Sequence, residues 1–458
     1  MDDVVFENIR LEPEFEYFLY VGEIKAHGLN DFVRRGLERR FGRPFRAITV
    51  CPDVLETYPV GNILAANPWL ARAPGRTAGR RPVGDFAHYL SCDRYFRALL
   101  ERLLAAQGRL FVWMFETRQE FLLRDVRGVT LLGPDPAVVH AVNDKTWQYR
   151  NLSGVVPMAD FEVCTGRAAM LEACGRMGCS CGQRVFVSCP YSAAGAASMV
   201  VSDPARAGER FDQDGCFLVS RYVPHVWDPT VLGVVGNERE VFVAGVADMT
   251  IEDGNKFRGS TFPSLLPARV QGVLREHTVA VGRVLGRMGF RGIFGCDFIV
   301  APDESVYFIE VNPRKQGTTM EFCCTLEHLL PDGAPNLPEL EICAVLDGRF
   351  PEGMPSGPDG EAAGRLGLHW GTYNHKIEIP GVRTTHAVLQ DMPERDLFRR
   401  VAADGPGGAV VLEHVGGGVA VLPGTFLGRV AAVAPTREQM LAALAGGRNQ
   451  LAASITGA

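Results

Sequence analysis

Two apolar runs separated by a polar turn constrain this chain more than any other part of its sequence. They are the two halves of the segment GIFGCDFIVAPDESVYFIEVNPR, residues 292–314. The Pro-Asp-Glu-Ser sequence at residues 302–305 is typical of a hairpin loop. With a loop of four residues, Ala301 pairs with Val306, and this pairing sets the register of the whole predicted hairpin.

The predicted register places two carboxylates side by side. Asp297 lies directly opposite Glu310, and like charges in that position destabilise a sheet unless something neutralises them. Asn312 points to the same face as Glu310 because side chains alternate along a strand. Carboxylate and amide oxygens suit Mg²⁺, which usually takes its remaining ligands from water and nucleotide phosphates.

We therefore predict that Asp297, Glu310 and Asn312 bind magnesium. Arg314 follows two residues later, and its guanidinium is a candidate catalytic group that holds an anionic intermediate. The alternative is a solvated hairpin whose acidic side chains never meet.

Length and composition limit the classes of protein to consider. The 458 residues predict about two to four packed units, since domains usually have about 100 to 200 residues. The net charge of -6 gives no general attraction to nucleic acid. No stretch has the roughly 20 uninterrupted apolar residues of a membrane span, and the acidic start MDDVVFENIR is unlike a signal peptide. We therefore expect a cytoplasmic protein without nucleic-acid or membrane partners.

The pattern of apolar segments predicts several domains. In the first part of the chain, apolar runs such as residues 15–21, 45–51 and 109–115 alternate with amphipathic stretches, which is typical of an α/β layer. A Gly/Pro-rich segment, PEGMPSGPDGEAAG, precedes the last part. We predict a first domain at 1–133, a central domain at 134–348, a linker at 349–364 and a C-terminal domain at 365–458.

The end of the hairpin, FIEVNPRKQGTT, resembles the last sheet of the ATP-grasp superfamily, where an acidic residue precedes a strand that ends in Glu-x-Asn-x-Arg. The resemblance covers roughly residues 130–330. It implies a multidomain α/β and α+β protein, in which a Rossmann-like pre-ATP-grasp domain precedes the ATP-grasp fold and a small α+β domain follows. A lid subdomain would occupy about residues 140–215. The layout looks most like the peptide ligases of pheganomycin-type biosynthesis.

The same resemblance implies residues that bind the nucleotide. LLGPDPAVVHAVNDK is similar to the start of a helix in biotin-carboxylase-like members, where the lysine after Asp touches nucleotide phosphate; this residue is Lys145. Arg221, Tyr222 and Val223 occupy the place of the strand that lines adenine. A backbone carbonyl and an amide two residues apart can contact the adenine amino group and a ring nitrogen together.

Two segments depart from the family pattern or match it loosely. In VFVSCPYSAAGAAS, Ser188 stands where the family usually has a second phosphate-binding lysine, and Gly195 is the only glycine of the following loop. Such a loop can approach phosphates through backbone amides, but it lacks the positive charge. In NKFRGSTFPSLLP, Lys256 and Arg258 match basic residues that relatives place near the acceptor or the acyl phosphate. The alternative is that both lie in a surface loop.

The resemblance implies an ATP-dependent carboxylate–amine ligase that uses ATP and Mg²⁺ and forms an acyl phosphate. Its partners would be a small-molecule carboxylate and an amine or peptide. In the resembled ligases, a small nonproteinogenic amino acid is joined to a peptide amine in secondary metabolism. Two alternatives stay open: a non-catalytic, ATP-binding regulatory protein and a biotin-carboxylase-like carboxylase. The sequence does not predict the oligomeric state.

Overall fold

The structure is a computed structural model that describes residues 6, 9–52, 64–66, 77–78, 83–191, 197–211, 214–252, 256–358, 364–388, 390 and 392–456. The first sheet contains β1 (Glu16–Val21), β2 (Phe45–Val50), β3 (Leu64–Ala66), β5 (Leu110–Met114) and β6 (Val129–Leu132). All its strand pairs are parallel, in the order β3-β2-β1-β5-β6. Its helices are α1 (Asn30–Phe41), α2 (Val83–Cys92) and α3 (Arg94–Gln107), and 3₁₀ turns cover Ile24–Leu29 and Leu122–Asp125.

Apolar side chains on both faces of β1 explain why this sheet is sandwiched between helices. Phe18 and Tyr20 pack in one core with residues of α1, whereas Leu19 and Val21 pack in another with residues of α2 and α3. A parallel sheet covered on both faces has strands that are apolar throughout. The N-terminal sheet therefore has the expected Rossmann-like form.

A small antiparallel sheet follows. Helices α4 (Pro136–Asn143) and α5 (Lys145–Leu152) lead into strands β7 (Phe161–Thr165), β8 (Val185–Ser188), β9 (Ser198–Val201) and β10 (Cys216–Arg221). The strand order is β7-β10-β8-β9. Helices α6 (Arg167–Arg176) and α7 (Pro204–Arg210) pack on it and form a separate core, and a 3₁₀ turn covers Cys179–Cys181. This unit occupies the place of the predicted lid.

The largest sheet begins with β11 (Pro229–Val235), β12 (Val241–Glu252), β13 (Lys256–Phe262), β14 (Gly292–Val300) and β15 (Val306–Asn312). Helix α8 (Ala268–Arg287) covers one face. Helices α9 (Thr319–Leu329) and α10 (Leu337–Asp347) cover the other face and share a core with α1 of the first sheet. The end of β15 and the start of α9 therefore lie where the first and largest sheets meet.

The C-terminal part extends this large sheet. Strands β16 (His369–Lys376), β18 (Gly408–Glu413) and β20 (Phe426–Ala434) complete the order β15-β14-β11-β12-β13-β16-β20-β18, because Phe262 of β13 pairs with Trp370 of β16. Helices α11 (Glu394–Ala402) and α12 (Arg437–Ala453) pack against it. A fourth sheet joins β4 (Thr77–Ala78), β17 (Val382–Thr384), β19 (Ala420–Val421) and β21 (Ile455–Thr456). None of the described helices has the length and apolar character needed to cross a membrane.

Candidate active site

The predicted hairpin is present, but its loop is one residue longer than expected. Val300, rather than Ala301, pairs with Val306. Residues 301–305 form the loop, and the Ala301 amide donates a hydrogen bond of 2.9 Å to the Ser305 carbonyl. The predicted pairing of Ala301 with Val306 was wrong because the loop has five residues instead of four.

A shift of register in the middle of the hairpin compensates for this error. Between Asp297 and Phe298 the pairing moves by one residue, which leaves Ile309 as an additional residue on β15. Such bulges bend a strand and redirect its side chains, and they are common beside active sites. Asp297 therefore lies directly opposite Glu310, as predicted.

Asp297 lies at the centre of a polar cluster on this face. The Asn312 amide nitrogen donates to its Oδ2 at 2.8 Å, and the Gln316 amide nitrogen donates to its Oδ1 at 3.2 Å. Burial and the negative charge of Glu310 raise the pKa of Asp297 to about 7. This carboxyl group therefore ionises near neutral pH instead of near its ordinary, acidic pKa.

The carboxylate form of Glu310 is stabilised by a lysine. Its Oε2 lies 2.5 Å from the Lys145 Nζ. Burial alone would raise the pKa of Glu310, but the Lys145 ammonium lowers it below its ordinary value. Lys145 begins α5, whose N-cap Asp144 accepts a hydrogen bond of 2.8 Å from the Thr146 amide, and this cap fixes where the lysine side chain starts.

The oxygen atoms of this cluster fit Mg²⁺. Asp297 and Glu310 bring two carboxylates together, and a cation beside them would offset the negative charge that, together with burial, raises the pKa of Asp297. Over the described residues, no group of three or more His, Cys, Asp or Glu side chains is placed to bind a metal. A magnesium ion at the hairpin would therefore take its other ligands from Asn312, water or phosphate oxygens.

Arg314 connects the hairpin to the N-terminal sheet. Its Nη2 donates to Asn312 Oδ1 at 3.0 Å, and its Nε lies 3.7 Å from a carboxylate oxygen of Glu116. Glu116 follows the end of β5, is almost fully buried, and also accepts a hydrogen bond of 2.8 Å from Asn143. Our sequence reasoning missed Glu116. The available signal was an acidic residue directly after an apolar strand of a parallel sheet, since such sheets bind ligands at their carboxyl ends.

A buried ion pair fixes the chain directly after Arg314. Lys315 Nζ lies 2.6 Å from a carboxylate oxygen of Glu341 and donates to the Met114 carbonyl at 3.0 Å. Glu341 also accepts from the Trp113 indole nitrogen at 3.0 Å and from the Ile293 amide at 3.1 Å. These contacts join β5, the hairpin and α10 at one point, so they position Arg314 relative to the N-terminal sheet.

One cavity collects most of the residues predicted from sequence. Nine of the twelve predicted site residues line it: Lys145, Ser188, Arg221, Tyr222, Val223, Asp297, Glu310, Asn312 and Arg314. The cavity lies between the small antiparallel sheet and the large sheet, and apolar side chains such as Leu218 and Met249 line it as well. An apolar cleft with a few polar groups is typical of a small-molecule site.

Of the other three predicted residues, Lys256 and Arg258 are not among those that line the cavity. Arg258 is buried, with its Nε 2.7 Å from Glu252 and its Nη2 2.6 Å from Glu378. Lys256 Nζ lies 3.4 Å from the same Glu378. Gly195 lies outside the described residues. The roles of these three residues stay predictions.

The backbone at the end of β10 leaves one acceptor and one donor available. The Arg221 amide donates to the Asp160 carbonyl at 2.8 Å, and the Tyr222 amide donates to the Arg184 carbonyl at 3.1 Å. The Arg221 carbonyl and the Val223 amide have no hydrogen-bond partner among the residues that the structure describes. They are two residues apart, which is the spacing expected for contact with adenine.

Three buried hydroxyl groups also face the cavity without a partner. They belong to Ser188, Ser260 and Thr318, and none of them forms a hydrogen bond within the described part of the chain. A buried polar group that lacks a partner costs free energy, so such groups mark places where a ligand supplies the partner. Thr318 directly precedes α9, whose N-terminal amides favour a negatively charged group.

Gly295 allows Gln316 to reach Asp297. A Cβ atom at residue 295 would lie 2.1 Å from the Gln316 Cδ, so Gly295→Ala must displace that side chain. We expect MgATP binding to weaken about tenfold, because Asp297 loses a hydrogen bond to a charged group. Isothermal calorimetry tests this prediction. The control is Gly272→Ala on α8, where a Cβ meets nothing within 4 Å; equal affinities of the two variants would show that Gln316 does not position Asp297.

The elements around the cavity belong to a known class of domain. Residues 142–318 match the family model described as the ATP-grasp domain. The central part of the chain is an ATP-grasp domain, and the predicted fold class is confirmed. The match begins just before Lys145 and ends at Thr318, so it includes the small antiparallel sheet and the hairpin.

Comparison with individual proteins gives one curated relative and many solved structures of similar fold. An L-propargylglycine–L-glutamate ligase of Streptantibioticus cattleyicolor is 29% identical over 119 residues, which is 26% of this chain and 24% of that protein. The matched region thus spans about a quarter of the length of this relative.

Two solved structures illustrate the similarity of fold over nearly the whole chain. Biotin carboxylase from Campylobacter jejuni has a TM-score of 0.61 and 14% identity, covering 96% of this chain and 92% of that one. N5-carboxyaminoimidazole synthase from Aspergillus clavatus, in complex with ADP and 5-aminoimidazole ribonucleotide, has a TM-score of 0.56 and 13% identity. The match covers 96% of this chain and 100% of that one.

Proposed function

We propose that this protein is an ATP-dependent carboxylate–amine ligase that activates its carboxylate substrate as an acyl phosphate. The observation that carries the proposal is that one cavity contains both groups suited to adenine and groups suited to magnesium-bound phosphates. The cavity presents the available Arg221 carbonyl and Val223 amide and also the opposed carboxylates Asp297 and Glu310. This arrangement supports binding of adenine and of magnesium-bound phosphates in one ligand.

The nucleotide would lie along the cavity with its adenine beside β10. His225 and Asp228 line the cavity next to this strand, and their side chains lie 3.2 Å apart. The hydrogen bond with Asp228 raises the pKa of His225 above its ordinary value. This pair offers polar atoms for the ribose hydroxyls, while Lys145 and the hydroxyl group of Ser188 are suited to phosphate oxygens.

Asp297, Glu310 and Asn312 would hold Mg²⁺, which, when bound, supplies positive charge to the phosphate oxygens. Arg314 adds a fixed positive charge at the same end of the cavity. The hydroxyl of Thr318 and the N-terminus of α9 favour negative charge beside it. These groups would stabilise the charge on the carboxylate substrate and on the phosphoryl group during transfer.

The proposed reaction has two steps. A carboxylate oxygen of the first substrate attacks the γ-phosphorus of ATP, the bond to the β-phosphate oxygen breaks, and ADP leaves. The nitrogen of an uncharged amine then attacks the acyl carbon, inorganic phosphate leaves, and the nitrogen loses a proton. The cavity walls contribute orientation and exclusion of water, which suffice for a reactive amine.

We further propose that the carboxylate substrate is an amino acid. This proposal is supported by the relative from S. cattleyicolor, whose name describes a ligase of two amino acids. Joining a small nonproteinogenic amino acid to an amino acid or peptide amine in secondary metabolism would agree with that likeness. The carboxylases of similar fold support a different reaction, carboxylation with bicarbonate, which the same assay can detect.

Incubation of the purified protein with MgATP, a panel of amino acids and short peptides tests the proposal. We expect ADP, phosphate and a product whose mass equals the sum of two substrates minus water. ADP formation that requires bicarbonate and yields a carboxylated product would favour the carboxylase. Tight binding of ATP without turnover across the panel would favour a regulatory protein.

A further inference from the structure

A second candidate site lies beside Arg314, in the crevice that open parallel sheets form outside the carboxyl ends of their strands. The strand order of the first sheet is β3-β2-β1-β5-β6. The chain adds β2 and β3 on one side of β1 and then β5 and β6 on the other side, so the topological switch point lies between β1 and β5. Open α/β sheets bind ligands outside the carboxyl ends of their strands at such a point. The segments that follow β1 and β5 are residues 22–25 and 115–117, and Glu116 of the second segment reaches Arg314.

This crevice holds an ion pair that solvent can reach. Lys25 Nζ lies 2.5 Å from a carboxylate oxygen of Glu23, and their side chains are 22% and 29% exposed. Burial would raise the pKa of Glu23, but Lys25 lowers it, with further contributions from His414 and Arg314. Ionisable groups from the N-terminal sheet, the hairpin and the C-terminal part therefore lie close together here.

Two aromatic rings form the walls around Lys25. Its ammonium lies 4.8 Å from the centre of the Phe115 ring and 5.6 Å from that of Phe426. Arg314 lies 5.9 Å from the centre of the same Phe115 ring, so Lys25 and Arg314 both lie beside this ring. His414 contacts Phe426 edge to face at 4.5 Å and supports the second ring.

We propose that this crevice binds the amine co-substrate as a free α-amino acid, with Lys25 holding its carboxylate and Glu23 its ammonium group before deprotonation. The bound amino acid carries one negative and one positive group, as the Glu23–Lys25 pair does. Its carboxylate and its ammonium group would therefore replace the contact between Glu23 and Lys25 with two new ion pairs. Because Lys25 and Arg314 lie beside the same Phe115 ring, an amine held by Glu23 would lie near an acyl phosphate bound at Arg314. This inference rests on the proposed ligase function and narrows its amine substrate, since a peptide carries its carboxylate far from its amine.

The test compares free amino acids with their carboxamides as amine substrates. With the best pair from the amino-acid panel, the wild-type protein should prefer the free acid at least about tenfold in kcat/KM. Lys25→Met should remove this preference by raising the KM for the free acid, while the KM for ATP and the rate with the carboxamide stay unchanged. Lys25→Arg should keep the preference, because the positive charge remains.

Arg239→Met is the matched control. It removes a positive charge from a side chain that is 88% exposed in the turn between β11 and β12, and it should keep the preference of the wild type. Equal rates with acid and carboxamide in the wild type, or an unchanged preference in Lys25→Met, would overturn this inference while leaving the ligase intact. Failure of every substrate pair to react would instead remove the ligase function and this inference with it.

Discussion

Replacing Glu310 with glutamine is expected to reduce ATP-dependent product formation by about three orders of magnitude. The substitution keeps the shape of the side chain but removes one of the two opposed carboxylates and the ion pair with Lys145. Because Glu310 contributes to the raised pKa of Asp297, that pKa should fall toward its ordinary value in the variant. Initial rates of ADP release and product mass measure the effect.

Glu304→Gln is the matched control, since it makes the same chemical change in the loop of the same hairpin. The Glu304 side chain is partly exposed and pairs only with Arg269 among the described residues. It should retain wild-type turnover, and both variants should unfold at temperatures close to that of the wild type. Full activity of Glu310→Gln would exclude the hairpin from the chemistry.

Lys315→Met is expected to lower the free energy of unfolding by about 3 to 5 kcal/mol. It leaves the carboxylate of Glu341 buried without its cation, although Trp113 and Ile293 still donate to it. Breaking a buried pair is costly because the remaining charge cannot reach water. Urea unfolding followed by tryptophan fluorescence measures the change. Turnover should fall as well, because Lys315 fixes the chain next to Arg314.

Two further variants give this prediction its control. Arg34→Met breaks a partly exposed pair with Glu38 on α1 and should change the free energy of unfolding by at most about 1 kcal/mol. The double variant Lys315→Met with Glu341→Gln removes both buried charges and should be more stable than Lys315→Met alone. A double variant less stable than either single variant would contradict the buried-pair explanation.

The sequence predicted that the carboxylates and the amide of the hairpin lie together, because the alternation of side chains along a strand depends only on neighbouring residues. Asp297, Glu310 and Asn312 share a face whenever β14 and β15 pair in the right register. Our loop length was wrong by one residue, and the extra residue at Ile309 restored the pairing of the carboxylates. A bulge of this kind leaves no clear signal in a single sequence, so the correct pairing followed partly from compensating errors.

Contacts between distant segments could not be predicted in the same way. Glu116 and Glu341 reach the end of the hairpin only through the packing of β5 and α10 against it. Likewise, the pairing of Phe262 with Trp370 extends the large sheet across the predicted linker. Hydrophobic patterns show that such strands and helices exist, but not which of them become neighbours.

The surroundings of Lys256 and Arg258 could not be read from the motif, and the roles of both residues stay predictions. Arg258 forms ion pairs with Glu252 and Glu378, and Lys256 lies near Glu378 as well. Glu378 comes from the segment after β16, whose position depends on the sheet extension. The residues that line the cavity from β13 are Phe257 and Ser260 instead.

The central claim is activation of a carboxylate by phosphoryl transfer, and oxygen-18 labelling tests it most directly. A substrate labelled in both carboxylate oxygens is incubated with the protein, MgATP and the amine. An acyl phosphate predicts ADP together with inorganic phosphate that carries one labelled oxygen, because the carboxylate oxygen leaves with the phosphate. Unlabelled phosphate, or AMP that carries the label, would contradict the account.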